Sequence, residues 1–304
     1  IDQAAVKRSF TKPEKTEPTN FIRREIAARM AERLDLIKLQ PKVIVDAGCG
    51  AGADLLRLQD RYADSRVIGI DASAGMLAQA AALLSQNQSA LTRLMPKWLG
   101  KALQSGPDIE LSCADFARTP LTTQSVDFVW SNLALLWHAQ PDLVFAEWRR
   151  ILQVDGLLMF SSFGPDTFLE VRQAFATVDD YPHTLPFVDM HDLGDMLVHA
   201  GFSTPVMDME KIYLTYQEPE HLLREVAAFG GNPLLSKRQG LLGKQVWQQV
   251  LKALNAQRKA DGRLHLTLEV IYGHAFRAPD RKTASGESII QFDALRKPPG
   301  SRLS

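Results

Sequence analysis

Short β-branched runs alternate with amphipathic stretches through the first half of the chain. Residues 43–45, 67–70, 109–113, 126–130 and 157–161 each read as a strand, because brief apolar runs bounded by turn residues suit a sheet covered on both faces. Between them, residues 54–62, 76–84 and 143–152 read as helices. Ahead of the first strand, residues 21–36 place Ile22, Ile26, Met30 and Leu34 at helical spacing, and Pro41 ends that stretch. Strands alternating with helices over short turns predict an α/β fold, a Rossmann-like and mostly parallel sheet covered on both faces.

Beyond Phe163 the rhythm changes. Residues 166–178 and 191–200 are predicted helical, with Gly201 ending the second. Strand-like residues 211–216 and 266–275 bracket helical stretches 218–229 and 240–259. Two strands so far apart extend the sheet if the helices between them form an inserted cap. The expected organisation is an arm and helix acting as a lid (1–40, with 1–20 mobile), a ligand-binding core (41–165), the rest of the sheet with its cap (166–278) and a flexible tail (279–304).

Composition narrows the class. The 304 residues carry 35 Lys+Arg against 35 Asp+Glu, a balance that argues against a nucleic-acid backbone as the main partner. The 2 cysteines, Cys49 and Cys113, are too few for a disulfide framework, which makes the cytoplasm the expected compartment. No apolar run approaches the roughly 18 residues that span a bilayer, and no signal-peptide pattern opens the chain. The first residue is Ile rather than Met, so further N-terminal residues are expected.

Candidate chemistry sits at the strand ends. Asp46-Ala47-Gly48-Cys49-Gly50-Ala51-Gly52 follows the first strand and opens a helix, where glycines let the backbone turn sharply and approach a ligand. Asp71 closes the second strand, placed to accept from both ribose hydroxyls of an adenosyl group. Asp115 follows the third strand, placed to hold an adenine amino group with Phe116 against the ring. Asp46 would repel a pyrophosphate but suits an ammonium group, which turns the reading away from a dinucleotide.

These segments, with Val126-Asp127-Phe128-Val129-Trp130-Ser131-Asn132, resemble the motifs of class I S-adenosylmethionine-dependent methyltransferases over residues 43–163. The resemblance implies S-adenosyl-L-methionine as cofactor, held by Asp46, Gly48, Cys49, Gly50, Asp71, Ala72, Met76, Asp115, Phe116, Asn132 and Leu133. A narrower likeness is carried by residues 131–138, by 163–175 from Phe163-Gly164-Pro165-Asp166, by 186–192 and by 266–273. These resemble the malonyl-acyl-carrier-protein O-methyltransferases of biotin synthesis. They resemble almost as well the mitochondrial complex I assembly factors, linked to hydroxylation of a protein arginine; a methyltransferase for another small acceptor is a further alternative. The biotin enzymes usually carry a lid Tyr, whereas residues 10–21 here hold none, with Glu17 near the expected place.

Methyl transfer to a carboxylate needs no general base, since the nucleophile is ionised at pH 7. No catalytic residue and no metal ligand are therefore expected; positioning does the work. C-methylation would instead call for a base, for which His138 and His183 are candidates. A malonyl carboxylate needs a cation, best an Arg fork, and Arg172 is the first candidate, although a solvated helix position suits it equally. Trp137, His138 and His183 complete the expected acceptor pocket, with core packing as the rival role for Trp137. Residues 226–260 carry Lys237, Arg238, Lys244, Lys252, Arg258 and Lys259 and no acid. The stretch 72–107 carries Arg93, Lys97 and Lys101, likewise without an acid, and Leu94, Trp98 and Leu99 lie nearby. The basic helices at 237–259 are the candidate docking surface for an acidic acyl carrier protein, unless they are merely solvated faces.

Overall fold

The computed structural model describes residues 1–94, 109–240 and 242–280, with side chains from 88 to 94 excepted. Lys97, Trp98, Leu99 and Lys101, the side chains of Arg93 and Leu94, and the tail beyond Asp280 lie outside the described residues. The N-terminal segment forms α1 (Gln3–Ser9), two 3-10 turns and α2 (Asn20–Leu34). The core runs β1 (Val43–Ala47), α3 (Ala53–Arg61), β2 (Arg66–Asp71), α4 (Ala74–Leu94), β3 (Ile109–Cys113), β4 (Val126–Ser131), α5 (Pro141–Ile151) and β5 (Leu152–Phe163). The remainder is α6 (Leu169–Phe175), α7 (Met190–Ala200), β6 (Phe202–Tyr216), α8 (Pro219–Ala228), α9 (Lys244–Asn255) and β7 (Leu264–Arg277).

The seven strands form one sheet in the order β3-β2-β1-β4-β5-β7-β6. The first five run parallel, and β7 is antiparallel to both of its neighbours. Chain order reverses between β1 and β4, so their connections leave in opposite directions and open a crevice at the strands' C-terminal ends. The central strands alternate their side chains between two apolar layers. Ile44, Phe128 and Trp130 join the layer holding α2 and α3, while Val45, Ala47 and Val129 join the layer holding α5 and α7. The same alternation carries Asp46 to the α2/α3 face.

Several segments differ from the sequence expectation. Residues 1–20, expected as a mobile arm, wrap over the crevice: Ser73 Oγ donates to the Phe10 carbonyl (2.8 Å), and Gln3 Nε2 donates to that of Trp137 (3.2 Å). The helix expected over 166–178 is shortened, because the turn at Phe168 (φ 60°) is pinned by the Glu269 carboxylate and the Thr267 carbonyl. The strand expected over 211–216 starts at Phe202, since β6 pairs along nearly all of β7. The helix expected over 240–259 contracts to α9, and α8 and α9 form the cap inserted between β6 and β7.

Gly273 on β7 sits opposite Phe160 on β5, and a Cβ there would lie 2.4 Å from the Phe160 ring. Both strands are central and buried, so neither can give way. Gly273→Ala should therefore cost about 1–3 kcal/mol by overpacking, read as a lower urea midpoint with an unchanged slope.

Candidate functional site

A cavity of about 580 Å³ opens at the C-terminal ends of β1 to β4, where the chain reversal predicts a ligand crevice. All eleven residues proposed above for the cofactor line it, from Asp46 through Leu133, as do Trp137 and His138. The Gly-rich turn depends on backbone geometry. Gly48 adopts φ +82°, and a Cβ would meet the Ala134 methyl at 2.3 Å; Gly50, at φ +53°, faces open space. One glycine is thus required by packing and the other leaves room for a ligand.

Carboxylates dominate the wall. Asp46 is 2% exposed, and its Oδ2 has no hydrogen-bond partner. Burial, with the charges of Asp54 and Asp71 added, pushes its carboxyl well above the ordinary range. Asp54 is raised by burial too, opposed by hydrogen bonds from Asn132 Nδ2 (3.0 Å) and Trp130 Nε1 (3.2 Å). Asp71 accepts from Gly50 N–H (3.0 Å) and Ser73 N–H (2.8 Å), so one carboxylate ties the first glycine turn to the second strand's turn. Each of its oxygens retains a lone pair. Asp115 accepts from Ala117 N–H through Oδ1 (2.8 Å). The Cys49 thiol is pushed up by burial and by Asp46, which makes it packing rather than a nucleophile.

A buried, unpartnered carboxylate in the wall of a cavity is costly unless a donor arrives with the ligand. An ammonium group meets that need. Asp71 and Asp115 offer free acceptor sites for hydroxyl or amino donors, and Phe116 offers an apolar face. These acceptors fit S-adenosylmethionine in charge and in chemistry. Among the described residues no cluster suitable for a metal ion occurs, and no helix is long and apolar enough to cross a membrane.

Asn132 acts as the junction of the site. Its Nδ2 reaches Asp54 and the Arg23 carbonyl (3.0 Å each), and its Oδ1 accepts from Ser161 Oγ (2.9 Å). Leu133 follows at φ 52°, held by its N–H to the same Ser161 hydroxyl (3.0 Å). From the N-terminal segment, the Phe10 ring meets Trp137 edge-on at 5.1 Å. Arg23 lines the cavity but donates to Thr19 Oγ1 (2.6 Å) and to the Phe229 carbonyl (3.2 Å), binding lid to cap; burial pushes its guanidinium down to about 10.

The acceptor residues divide. His138 lines the cavity, with Nδ1 within hydrogen-bond distance of the Gln140 carbonyl (2.9 Å) and of its N–H (3.1 Å). Trp137 stands between this cavity and a second, apolar one of about 290 Å³. His183 lines only the second, stacked on Phe175 and paired with Asp179 (2.8 Å). Arg172 reaches neither cavity: its guanidinium donates to the carbonyls of Thr167 and Pro165, locking the turn before α6. In this position Arg172 braces that turn. The basic stretch is also partly committed. Lys237 caps the Asn232 carbonyl, Arg238 pairs with Asp179, and Arg258 holds the Gln217 and Gly262 carbonyls. Lys244, Lys252 and Lys259 remain exposed.

Asp54, Phe10, Arg23 and Arg24 line the cavity without having been singled out in the sequence. Asp54 carried a usable signal, an acid in the first helical turn after the glycines; the others carried none.

Known proteins can now be set beside this geometry. A methyltransferase-domain family profile matches residues 45–160. The malonyl-acyl-carrier-protein O-methyltransferase of Laribacter hongkongensis is 44% identical over 296 residues, covering 96% of each chain. That of Gallionella capsiferriformans is 40% identical over 293 residues, again covering 96% of both. Among solved structures, a putative methyltransferase from Bacillus halodurans aligns with TM-score 0.56 over 83% of this chain and 99% of its own, at 14% identity.

The buried carboxylates make a prediction about pH. Folded and ligand-free, Asp46 keeps its proton to higher pH than in the unfolded chain. The folded state then binds more protons at this group, so its contribution to stability is fully present below the ordinary value of 3.8 and is lost as pH rises above it. Asp46→Asn should raise the ligand-free melting temperature at pH 8, with the gain vanishing toward pH 4, and should weaken S-adenosylmethionine binding by roughly tenfold or more. Calorimetry reads both; a variant that melts lower yet binds as tightly would refute the assignment.

Proposed function

The chain belongs to the malonyl-acyl-carrier-protein O-methyltransferase family, and from that premise we propose that it methylates the free carboxylate of malonyl-acyl carrier protein. The observation that carries the reading is the pairing of near full-length identity with a carboxylate-lined cavity suited to S-adenosylmethionine. The product ester hides a charge that an apolar elongation channel would reject, which is its use in building the pimeloyl chain of biotin.

When bound, S-adenosylmethionine supplies an electrophilic methyl group on a sulfonium. The protein's residues then have three tasks. Asp46 takes the ammonium, Asp71 the ribose hydroxyls, and Asp115 with Phe116 the adenine. Gly48, Gly50, Asn132 and Leu133 shape the floor, with Cys49, Ala72 and Met76 packed around it. The lid excludes water through Phe10 against Trp137, in the part of the chain that lacks the usual Tyr. No residue needs to remove a proton, because the malonyl carboxylate arrives ionised. His138 and Trp137 wall the acceptor side.

The partner is an acyl carrier protein, acidic and cytoplasmic, and the exposed Lys244, Lys252 and Lys259 form the reduced docking face we assign to it. Two free thiols, Cys49 and Cys113, suit that compartment.

Labelled S-adenosylmethionine should transfer its methyl group to malonyl-carrier protein and leave acetyl-carrier protein unlabelled. Label on both, or on neither, would overturn the reading.

A further inference from the structure

With Arg172 occupied by the turn before α6, the acceptor carboxylate needs another cation. Four aspartates, Asp46, Asp54, Asp71 and Asp115, face the cavity and repel an anion from the strand-end side. Its cationic lining residues are Lys7, Arg23 and Arg24, all from the N-terminal segment. Arg23 is committed to lid and cap oxygens. Arg24, one residue further along α2, is exposed at the cavity and has no hydrogen-bond or ion-pair partner among the described residues. Lys7 of α1 is likewise exposed there.

Resting on the function proposed above, we infer that Arg24 is the residue that selects and orients the malonyl carboxylate, with Lys7 adding a second positive charge. The field along the cavity then has a direction: the acidic strand ends receive the cationic donor, and the basic lid receives the anionic acceptor. The planar guanidinium binds one carboxylate oxygen and leaves the other to attack. That oxygen forms its bond to the methyl carbon as the carbon–sulfur bond breaks, and the electron pair passes to sulfur. Methyl ester and S-adenosylhomocysteine result, with no net proton transfer. A thioester without a carboxylate gains nothing from Arg24, which makes this residue a determinant of specificity as well as of affinity.

The test compares wild type, Arg24→Gln and Arg24→Lys on two acceptors, malonyl-carrier protein and the small thioester malonyl-pantetheine. Arg24→Gln should raise KM for both acceptors by roughly 10- to 100-fold. Its affinity for S-adenosylmethionine, read by calorimetry, should be unchanged. Arg24→Lys should recover part of the loss, keeping the charge without the fork. A loss confined to the carrier-protein substrate would make Arg24 a docking residue and overturn the inference, as would unchanged KM on both acceptors. Wild type failing to methylate either acceptor would instead sink the underlying function, so the two failures are distinguishable.

Discussion

A carboxylate buried at the end of β1, with one oxygen facing no donor, is the constraint around which the rest of this structure is arranged. Left alone, Asp46 is unfavourable, and two further aspartates nearby make it more so. The protein manages the neighbours by hydrogen bonds: Trp130 and Asn132 hold Asp54, and the Gly50 and Ser73 amides hold Asp71. It leaves Asp46 unsatisfied. A fold that keeps such a group is storing unfavourable electrostatics that a cationic ligand relieves, so affinity for the ligand and instability without it have one origin.

The N-terminal segment covers part of the cavity. Phe10 packs on Trp137, Ser73 holds the Phe10 carbonyl, and Arg23 joins the lid to the Phe229 carbonyl near the cap. Asn132 couples all of this to the strand ends, since one amide touches Asp54, the backbone of α2 and Ser161 of β5. For a reaction whose nucleophile is already ionised, holding two opposite charges in line within a closed space is most of what catalysis requires.

Several features were legible from the chain alone. β-branched runs with glycine turns gave all seven strands, because strand burial depends on local pattern. The acids at positions 46, 71 and 115 were legible for a related reason: in a parallel sheet, residues at strand ends share one side whatever the helices do. The inserted cap between the last two strands followed from spacing. By contrast, the shortened α6 and the extended β6 depend on partners about a hundred and about seventy residues away respectively, and periodicity carries no trace of those.

Side-chain commitments were beyond the sequence. Arg172 and Arg24 are the same residue type on predicted helices, and only the folded chain shows that one braces the carbonyls of Thr167 and Pro165 while the other faces the cavity. Lys237, Arg238 and Arg258, which read as a charged face, bind the Asn232 carbonyl, Asp179 and the Gln217 carbonyl respectively. The sequence by itself determined the sheet, its ligand edge and the carboxylates along it, since these follow from short-range periodicity and turn chemistry. Tertiary structure decided which cations are free, what closes the lid and where the cavity ends, because those depend on long side chains finding distant oxygens once the backbone is packed.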